Sequence, residues 1–179
     1  MVIGVAPPAQ ATPLCVNPGG TGGCFSTIQA AINAAANSGD TITVAAGTYH
    51  ESKVLVNKSV TITGAGPGQT ILDGQNVAPT GLGLLQVQTT FGNVTISGMT
   101  IRNAGLFNGT RAAIFEQALV PNQTYTFENL DIEGVGSTLD YGFYSLNSQS
   151  DLILRSSEIT GTGSNPVLLE RHSGPVDID

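Results

Sequence analysis

The sequence predicts an all-β solenoid, a parallel β-helix of about five coils, on three observations. Short segments of β-type residues, separated by Gly, Asn, Pro or Ser, fill the chain after Asp40. No second helical pattern interrupts them, which excludes an alternating βαβ architecture. The segments also recur in a constant order, with a period of about 25–30 residues that is typical of stacked repeat units.

The repeats are clearest in the second half of the chain. Three phrases can be aligned there: MTIRNAG (99–105), LDIEGVG (130–136) and SEITGTG (157–163). A β-rich phrase precedes each of them and another follows, so each unit holds about three strands. Because alternate side chains of a strand point to opposite sides, we expect Val94 and Ile96 inside the coil and Thr95 outside.

One segment before the strands has the pattern of a helix. Residues 28–36 are rich in alanine, and their apolar side chains follow the i, i+3, i+4, i+7 spacing of an amphipathic face. Ser26 is the expected N-cap. The chain therefore divides into an extended segment with a cysteine loop (1–25), a helix (26–37) and the strand region (38–179).

The first part of the strand region resembles a known family. The run STIQAAINAAANSGDTITVAAGTYHE, followed by KSVTITGAGPGQTILDG, is similar to the opening of pectin-lyase-like right-handed parallel β-helix proteins. The preceding CVNPGGTGGC resembles exported bacterial β-helix proteins. The resemblance implies a right-handed coil whose N-terminal helix caps the open end of the stack. It says less about activity, because this scaffold serves lyases, esterases, hydrolases and non-catalytic adhesins alike.

The two cysteines, Cys15 and Cys24, lie nine positions apart in a Gly/Pro-rich loop. A metal site would need two more soft ligands, and a redox pair normally has C-x-x-C spacing. A structural disulfide is the favoured interpretation, and it predicts an oxidising, extracellular location. The opening MVIGVAPPAQA also resembles the end of a secretory signal, with Ala9-Gln10-Ala11 matching an A-x-A cleavage site.

The catalytic motif sets of the resembled family are absent. Its lyases use a calcium-binding carboxylate cluster with an Arg or Lys base, its hydrolases several Asp residues, and its methylesterases two Asp, an Arg and Gln residues. GTYHE resembles the esterase opening, but the later esterase phrases around the catalytic Asp residues do not follow. Asp73 is expected in a turn and His50 on the surface, neither with a catalytic role.

One weaker set of candidates comes from stacking the third strand of each coil. Four polar residues then form one outward column: Gln86, Glu116, Ser145 and Glu170. Arg171 and His172 lie near its end. Two carboxylates near an Arg and a His can bind calcium or act as acid and base, and calcium is the one cofactor that the sequence suggests. A solvated polar face explains the same pattern, and a shift of one residue would turn the column inward.

Four N-x-S/T sequons make glycosylation an open possibility, although such triplets also arise by chance in a chain rich in Asn, Ser and Thr. Their asparagines are Asn57, Asn93, Asn108 and Asn122.

The composition excludes two classes of partner. With 13 acidic and 6 basic side chains, the net charge is −7, and no basic footprint for a nucleic acid exists. No run approaches 18 apolar residues, so no membrane span is expected. The negative charge also argues mildly against polyanions, unless calcium bridges them.

The C-terminal phrase GPVDID matches the first strand of a coil, and no capping segment follows it. An uncovered coil recruits another chain, so Val176 and Ile178 are expected to receive Val2, Ile3 and Val5 of a neighbouring copy. That contact would be heterologous and would build a head-to-tail filament. The rival explanation is that the chain is a fragment of a longer β-helix.

The preferred function at this stage is a secreted, non-catalytic structural or adhesive module that self-assembles end to end. The alternative is a carbohydrate-active enzyme or glycan-binding module that acts on acidic polysaccharide.

Overall fold

The computed structural model describes residues 14–37, 39–89, 92–134 and 139–179. They form a parallel solenoid with a single short helix, α1 (Ile28–Ala34), and fifteen strands within the described ranges. The strands are β1 (Leu14–Val16), β2 (Asp40–Val44), β3 (Gly47–His50), β4 (Val54–Val56), β5 (Val60–Gly64), β6 (Thr70–Asp73), β7 (Leu85–Val87), β8 (Val94–Arg102), β9 (Ala112–Glu116), β10 (Thr124–Glu133), β11 (Leu139–Leu146), β12 (Asp151–Arg155), β13 (Glu158–Thr160), β14 (Thr162–Glu170) and β15 (Val176–Ile178).

The strands stack into two parallel sheets that run along the solenoid axis. Sheet A has the order β1-β2-β5-β8-β10-β12-β15, and β3, β6 and β13 extend it around a corner. Sheet B has the order β4-β7-β9-β11-β14. Successive partners lie one coil apart, which makes about six turns over the described residues. The prediction of a parallel β-helix is confirmed, with one coil more than expected.

One continuous apolar column of sheet A takes a buried side chain from each of five successive coils. Ile42 pairs with Ile62, Ile62 with Ile96, Ile96 with Phe127, and Phe127 with Leu154. All five are at most 3% exposed. Inward side chains pack on those of the coils above and below and also across the coil, where the rings of Phe127 and Phe143 lie 5.0 Å apart. One coil alone would leave these side chains open to solvent above and below, so the core depends on stacking.

The predicted inside–outside alternation of β8 is confirmed. Val94 and Ile96 are buried, and Thr95 between them is half-buried on the outer side.

Helix α1 covers the first coil with Ile28, Ala31 and Ile32, which belong to the same core cluster as the sheet A column. Thr27 is the N-cap, because its side-chain oxygen accepts from the amide of Ala30 at 3.2 Å. Ser26 was expected there and is wrong by one position. The helix therefore lies where the family resemblance placed a cap.

Distant charges complete both ends of α1. The Glu51 carboxylate accepts from the amides of Ile28 at 2.7 Å and Gln29 at 3.0 Å. At the other end, Lys58 Nζ donates to the carbonyls of Asn33 at 2.7 Å and Ala35 at 2.6 Å. Negative charge at the N-terminus and positive charge at the C-terminus both complement the helix dipole. These contacts tie the helix to the strands that it covers.

The predicted disulfide is confirmed, since Cys15 and Cys24 are joined at an S–S distance of 2.04 Å. Val2, Ile3 and Val5, and the proposed cleavage site at residues 9–11, lie outside the described residues. In the described ranges, no helix is both long and apolar enough to cross a membrane.

Candidate functional site

The outward polar column expected from the sequence is wrong in two respects. Glu116 and Ser145 do stack on each other, but both point into the coil and have no solvent exposure. Gln86 pairs with Phe115 rather than with Glu116, and Ser145 pairs with Leu169 rather than with Glu170. The two ends of the column were thus one residue out of register. A shift of one residue exchanges the two sides of a strand, so the four residues do not form one surface.

Glu116 lies in a closed polar pocket where sheet B leads into sheet A. Ser145 Oγ donates to its Oε2 at 2.6 Å, and Ser148 and Ser150 donate to Oε1 at 2.6 and 3.1 Å. All three serines are fully buried. A carboxylate without water needs protein donors, and these hydroxyls supply them. We call Glu116, the three serines and His172 the Glu116 pocket.

His172 closes the pocket from the segment after β14. Its Nδ1 lies 2.9 Å from Ser145 Oγ. Because the Ser145 proton already points to Glu116, Nδ1 must carry the proton and donate. Within the described part of the chain, the buried Nε2 of His172 has no hydrogen-bond partner. The His172 imidazole thus donates to the Ser145 hydroxyl, and the Ser145 hydroxyl donates to the Glu116 carboxylate.

A second buried polar group adjoins the pocket. Tyr125 donates to Gln123 Oε1 at 2.8 Å, and Thr89 Oγ1 donates to the same oxygen at 2.9 Å. Burial raises the pKa of Tyr125, and the negative charge of Glu116 raises it further. This cluster and the Glu116 pocket place polar groups in the interior at one corner of the coil. A polymer in solution cannot reach Glu116, so the pocket's role in this fold is internal.

The outer side of sheet B carries aromatic side chains instead of the predicted polar column. The rings of Phe115 and Tyr144 lie 5.6 Å apart in an edge-to-face arrangement, and those of Tyr141 and Tyr144 lie 5.3 Å apart. Leu82, Leu146 and Leu168 pack beside them. We call these six residues the aromatic face. The sequence did not predict this face, because consecutive residues of AIFE in β9 are apolar. Without alternation, the pattern does not show which side chains point inward and which point outward.

The aromatic face has a covered part and an open part. Gly83 lies against Phe115 so closely that a Cβ there would come within 2.8 Å of the Phe115 Cβ. Only glycine lets the β6–β7 connection pass this close to the backbone and Cβ of Phe115. Phe115 is 2% exposed and Tyr144 9%, whereas Tyr141 is half-buried. Tyr141 and the rim of Tyr144 are therefore the parts of these rings that solvent reaches.

Polar side chains border the rings. The Tyr144 hydroxyl donates to Glu170 Oε2 at 2.9 Å, and Gln88 Nε2 donates to Gln117 Oε1 at 3.1 Å in the neighbouring column. Burial raises the pKa of Tyr144 to about 12, and the Glu170 carboxylate contributes. The hydroxyl therefore stays protonated in any physiological medium.

The cations of this acidic chain are unevenly distributed. Arg102 is paired with Asp73 at 3.0 Å, Arg155 with Glu128 at 3.4 Å, and Lys58 with the end of α1. The other three of the six cations flank the strands of sheet B: Lys53 before β4, Arg111 before β9 and Arg171 after β14. Among the described side chains of the aromatic face and its border, Glu170 is the single carboxylate. The region is thus locally less negative than the rest of the protein.

The remaining predicted residues have separate places. Asp73 ends β6, and its Oδ1 accepts from the Gln75 amide of the following turn at 2.9 Å. Asn103 also donates to Oδ1 at 2.9 Å, and Arg102 donates to Oδ2. His50 is exposed, as expected. Within the described residues no group of three or more His, Cys, Asp or Glu side chains can hold a metal ion, and calcium binding stays untested.

Val176 and Ile178 are 42% and 49% exposed on β15. All four sequon asparagines are exposed as well.

Comparison with known proteins supports the fold. No family model matches the chain, and no curated protein matches it. A pectin methylesterase mutant in complex with hexasaccharide IV superposes with a TM-score of 0.53 and 15% identity, over 80% of this chain and 52% of that one. The pectin methylesterase of Aspergillus niger in deglycosylated form gives a TM-score of 0.37 and 18% identity, over 89% and 61%.

The chain spans about half the length of the first of these structures. The likeness to the first structure establishes a right-handed parallel β-helix fold, as the sequence motifs implied.

Proposed function

We propose that the protein is an extracellular polysaccharide-binding β-helix module that uses the aromatic face as its binding surface. The observation that carries this proposal is the outer side of sheet B, where Phe115 and Tyr144 point outward and Tyr141 and the rim of Tyr144 reach solvent. Aromatic surface that reaches solvent costs solvation free energy, so a ligand that covers it is a physical reason for keeping it.

The chemistry of the face suits a sugar. An aromatic ring has a negative face that attracts the polarised C–H groups of a pyranose, and Tyr141 is the ring that offers such a surface. The Gln88–Gln117 pair and Glu170 add donors and acceptors for sugar hydroxyls. The similar structure that holds a hexasaccharide belongs to a pectin methylesterase, which supports a carbohydrate ligand on this scaffold.

Charge favours a uronate-containing polymer over a strictly neutral one. Arg111 precedes β9, and Arg171 follows β14 and is close enough to Tyr144 to act on its pKa, whereas Lys53 lies before β4 at the far edge of sheet B. Local positive potential attracts an anionic chain even when the net charge of the protein is −7. A calcium ion that bridges a protein carboxylate and a carboxylate of the polymer is a second way to bind the same ligand.

Binding is favoured over catalysis because of where the carboxylates point. Glycoside hydrolysis needs two carboxyl groups facing each other across the bond that is cut. Of the two glutamates on these strands, Glu116 is sealed inside the coil and only Glu170 reaches the outer side. The alternative of a lyase or esterase would require groups other than these.

The test is a binding titration of the 179-residue chain with polygalacturonate, methyl-esterified pectin and xylan, with and without calcium. We expect saturable binding to at least one uronate polymer, and a loss of roughly tenfold in affinity for Tyr141→Ala. Thr126→Ala, on the outer side of sheet A, is the matched control and should bind like the parent. Equal affinity of both variants, or release of unsaturated products or methanol, would reject a binding module at this face.

End-to-end assembly is a second candidate, because β15 exposes Val176 and Ile178. In such an assembly, a second copy of the chain would cover β15. Sedimentation analysis of the chain beside a Val176→Lys/Ile178→Lys variant decides it. Concentration-dependent growth that the double variant abolishes supports assembly, and a monomer at every concentration rejects it.

A further inference from the structure

A tight hairpin turn presents one of the four sequons on the surface. Phe107 and Thr110 exchange two backbone hydrogen bonds, each of 2.9 Å. Between them Asn108 has φ +48° and Gly109 has φ +83°. Positive φ at both central positions, together with the Asn-Gly pair, defines a type I′ turn. The sequon Asn108-Gly109-Thr110 is therefore held in one backbone conformation.

The side chains around this turn leave Asn108 accessible. Its amide is exposed and makes no hydrogen bond within the described residues. Phe107 is half-buried and belongs to neither hydrophobic cluster of the protein. Residues directly opposite in an antiparallel pair project to the same side, so the Phe107 ring and the Thr110 methyl group lie side by side next to the turn. The part of the Phe107 ring that reaches solvent thus lies immediately before an exposed asparagine.

We propose that Asn108 is a site of N-linked glycosylation, and that the first sugar packs against the ring of Phe107. In the transfer, Asn108 Nδ2 attacks C1 of a sugar activated as a phosphate ester. The C1–O bond to the phosphate breaks, the Nδ2–C1 bond forms, and Nδ2 loses one proton to the transferase base. The donor is either a lipid-pyrophosphate oligosaccharide or a sugar nucleotide, since both present the same activated carbon.

The ring face of Phe107 then attracts the C–H groups of the sugar. Burial of this apolar surface gives the modified turn contacts that the bare turn lacks.

The other sequons lack this arrangement. Asn93 is already engaged, because its Oδ1 accepts from the amide of Thr124 at 2.9 Å. Asn57 follows Val56, whose side chain is buried in the core, and Asn122 follows Pro121. Neither has an aromatic residue directly before it. Asn108 alone among the four combines a free amide, a type I′ turn and an adjacent ring.

The experiment produces the full chain in two ways and maps all four sequons by peptide mass spectrometry. One arm secretes the protein from a eukaryotic cell, where the donor is lipid-linked. The other arm uses a bacterial host that co-expresses a cytoplasmic N-glycosyltransferase with a sugar-nucleotide donor. The variants are Phe107→Ala, which keeps the sequon, and Asn108→Gln, which removes it; Asn93→Gln is the matched control.

We expect Asn108 to be the most occupied sequon in at least one arm, and that arm identifies the donor. Removing the sugar should lower the Tm of the parent by about 2–4 °C and leave the Tm of Phe107→Ala almost unchanged. Because each variant is compared with its own sugar-free form, a general loss of stability does not affect the result.

Three outcomes overturn the proposal. They are an unmodified Asn108 in both arms, higher occupancy at another sequon in both, and a sugar-dependent Tm shift that Phe107→Ala leaves intact.

Discussion

Sheet A and sheet B are built from strands of the same solenoid and both bury apolar side chains, yet they differ in their outward residues and in one inward column. On sheet A the outward positions of successive coils are threonines in register: Thr41, Thr61, Thr95 and Thr126. The inward positions are the apolar column that ends at Phe127 and Leu154. This is the pattern expected of strands with one solvated face.

Sheet B departs from that pattern over β9 and β11. Ile114 and Phe143 point inward as core residues, but rings also point outward, and a carboxylate with three serine partners points inward. Sheet A stacks its coils with polar residues outside and apolar residues inside. Stacking therefore does not by itself require the outward rings and the inward carboxylate of sheet B. The two features therefore need separate explanations. We attribute the outer aromatic column to ligand binding, and the Glu116 pocket to hydrogen bonding inside the coil.

The largest effect should come from removing the carboxylate inside sheet B. Glu116→Ala leaves a cavity and three serine hydroxyls without their acceptor, so we expect a loss of about 3 kcal/mol in the free energy of unfolding. Urea unfolding monitored by circular dichroism measures it. The matched control is Glu128→Ala on the outer side of sheet A, whose exposed ion pair contributes less than about 1 kcal/mol. Similar losses of unfolding free energy in the two variants would contradict the stated difference between a buried carboxylate in sheet B and an exposed one on sheet A.

The next effect concerns the outer side of sheet B at alkaline pH. The pKa of Tyr144 is raised to about 12 in the folded protein, from 10 in the unfolded chain. The folded state therefore holds the proton more tightly. The resulting stability is complete below pH 10 and is lost as the pH rises through 12.

At roughly 1.4 kcal/mol per pKa unit, this amounts to at most about 3 kcal/mol. Tyr144→Phe has no such proton, so the Tm of the parent should fall more steeply than that of the variant between about pH 10 and 12. Parallel Tm curves for the two proteins would show that Tyr144 is not shielded as described.

A smaller effect is expected for the carboxylate on the sheet A side. Burial alone would raise the pKa of Asp73, but hydrogen bonds from Asn103, the Gln75 amide and Arg102 lower it below its usual value. The stability that Asp73 provides is therefore present at neutral pH and is lost as the pH falls through the folded pKa.

Asp73→Asn should cost about 1–2 kcal/mol at pH 7 and less at pH 3. Urea titrations at the two pH values measure the change. A cost that does not depend on pH would indicate that packing, rather than the charge of Asp73, stabilises this corner.

The smallest effect is expected for a substitution on the outer side of sheet A. Thr126→Ala removes one member of the threonine column on sheet A, and we expect a change within about 0.5 kcal/mol, because exposed positions away from special features tolerate substitution. The Tm of the variant should stay within about 2 °C of the parent. A large loss would mean that the threonine column contributes more to stacking than its exposure suggests.

The sequence alone determined the features that depend on local periodicity. The short strands with their turns, the repeat of the phrases, the amphipathic helix and the Cys15–Cys24 loop each have a signal within a few residues. The inside–outside assignment was correct for β8 because Val94, Thr95 and Ile96 alternate cleanly. It was wrong for Glu116 because Ile114 and Phe115 are both apolar, so neither parity is preferred.

Only the tertiary structure decided which groups meet between coils. The serine partners of Glu116 come from 29 to 34 residues further along the chain, and Glu51 reaches α1 from 22 and 23 residues away. Such contacts depend on the register between coils, and a register error of one residue reverses every side chain of a strand. The local pattern thus determines that the chain coils, while the stacking of one coil on the next decides which side chains face solvent and which face each other.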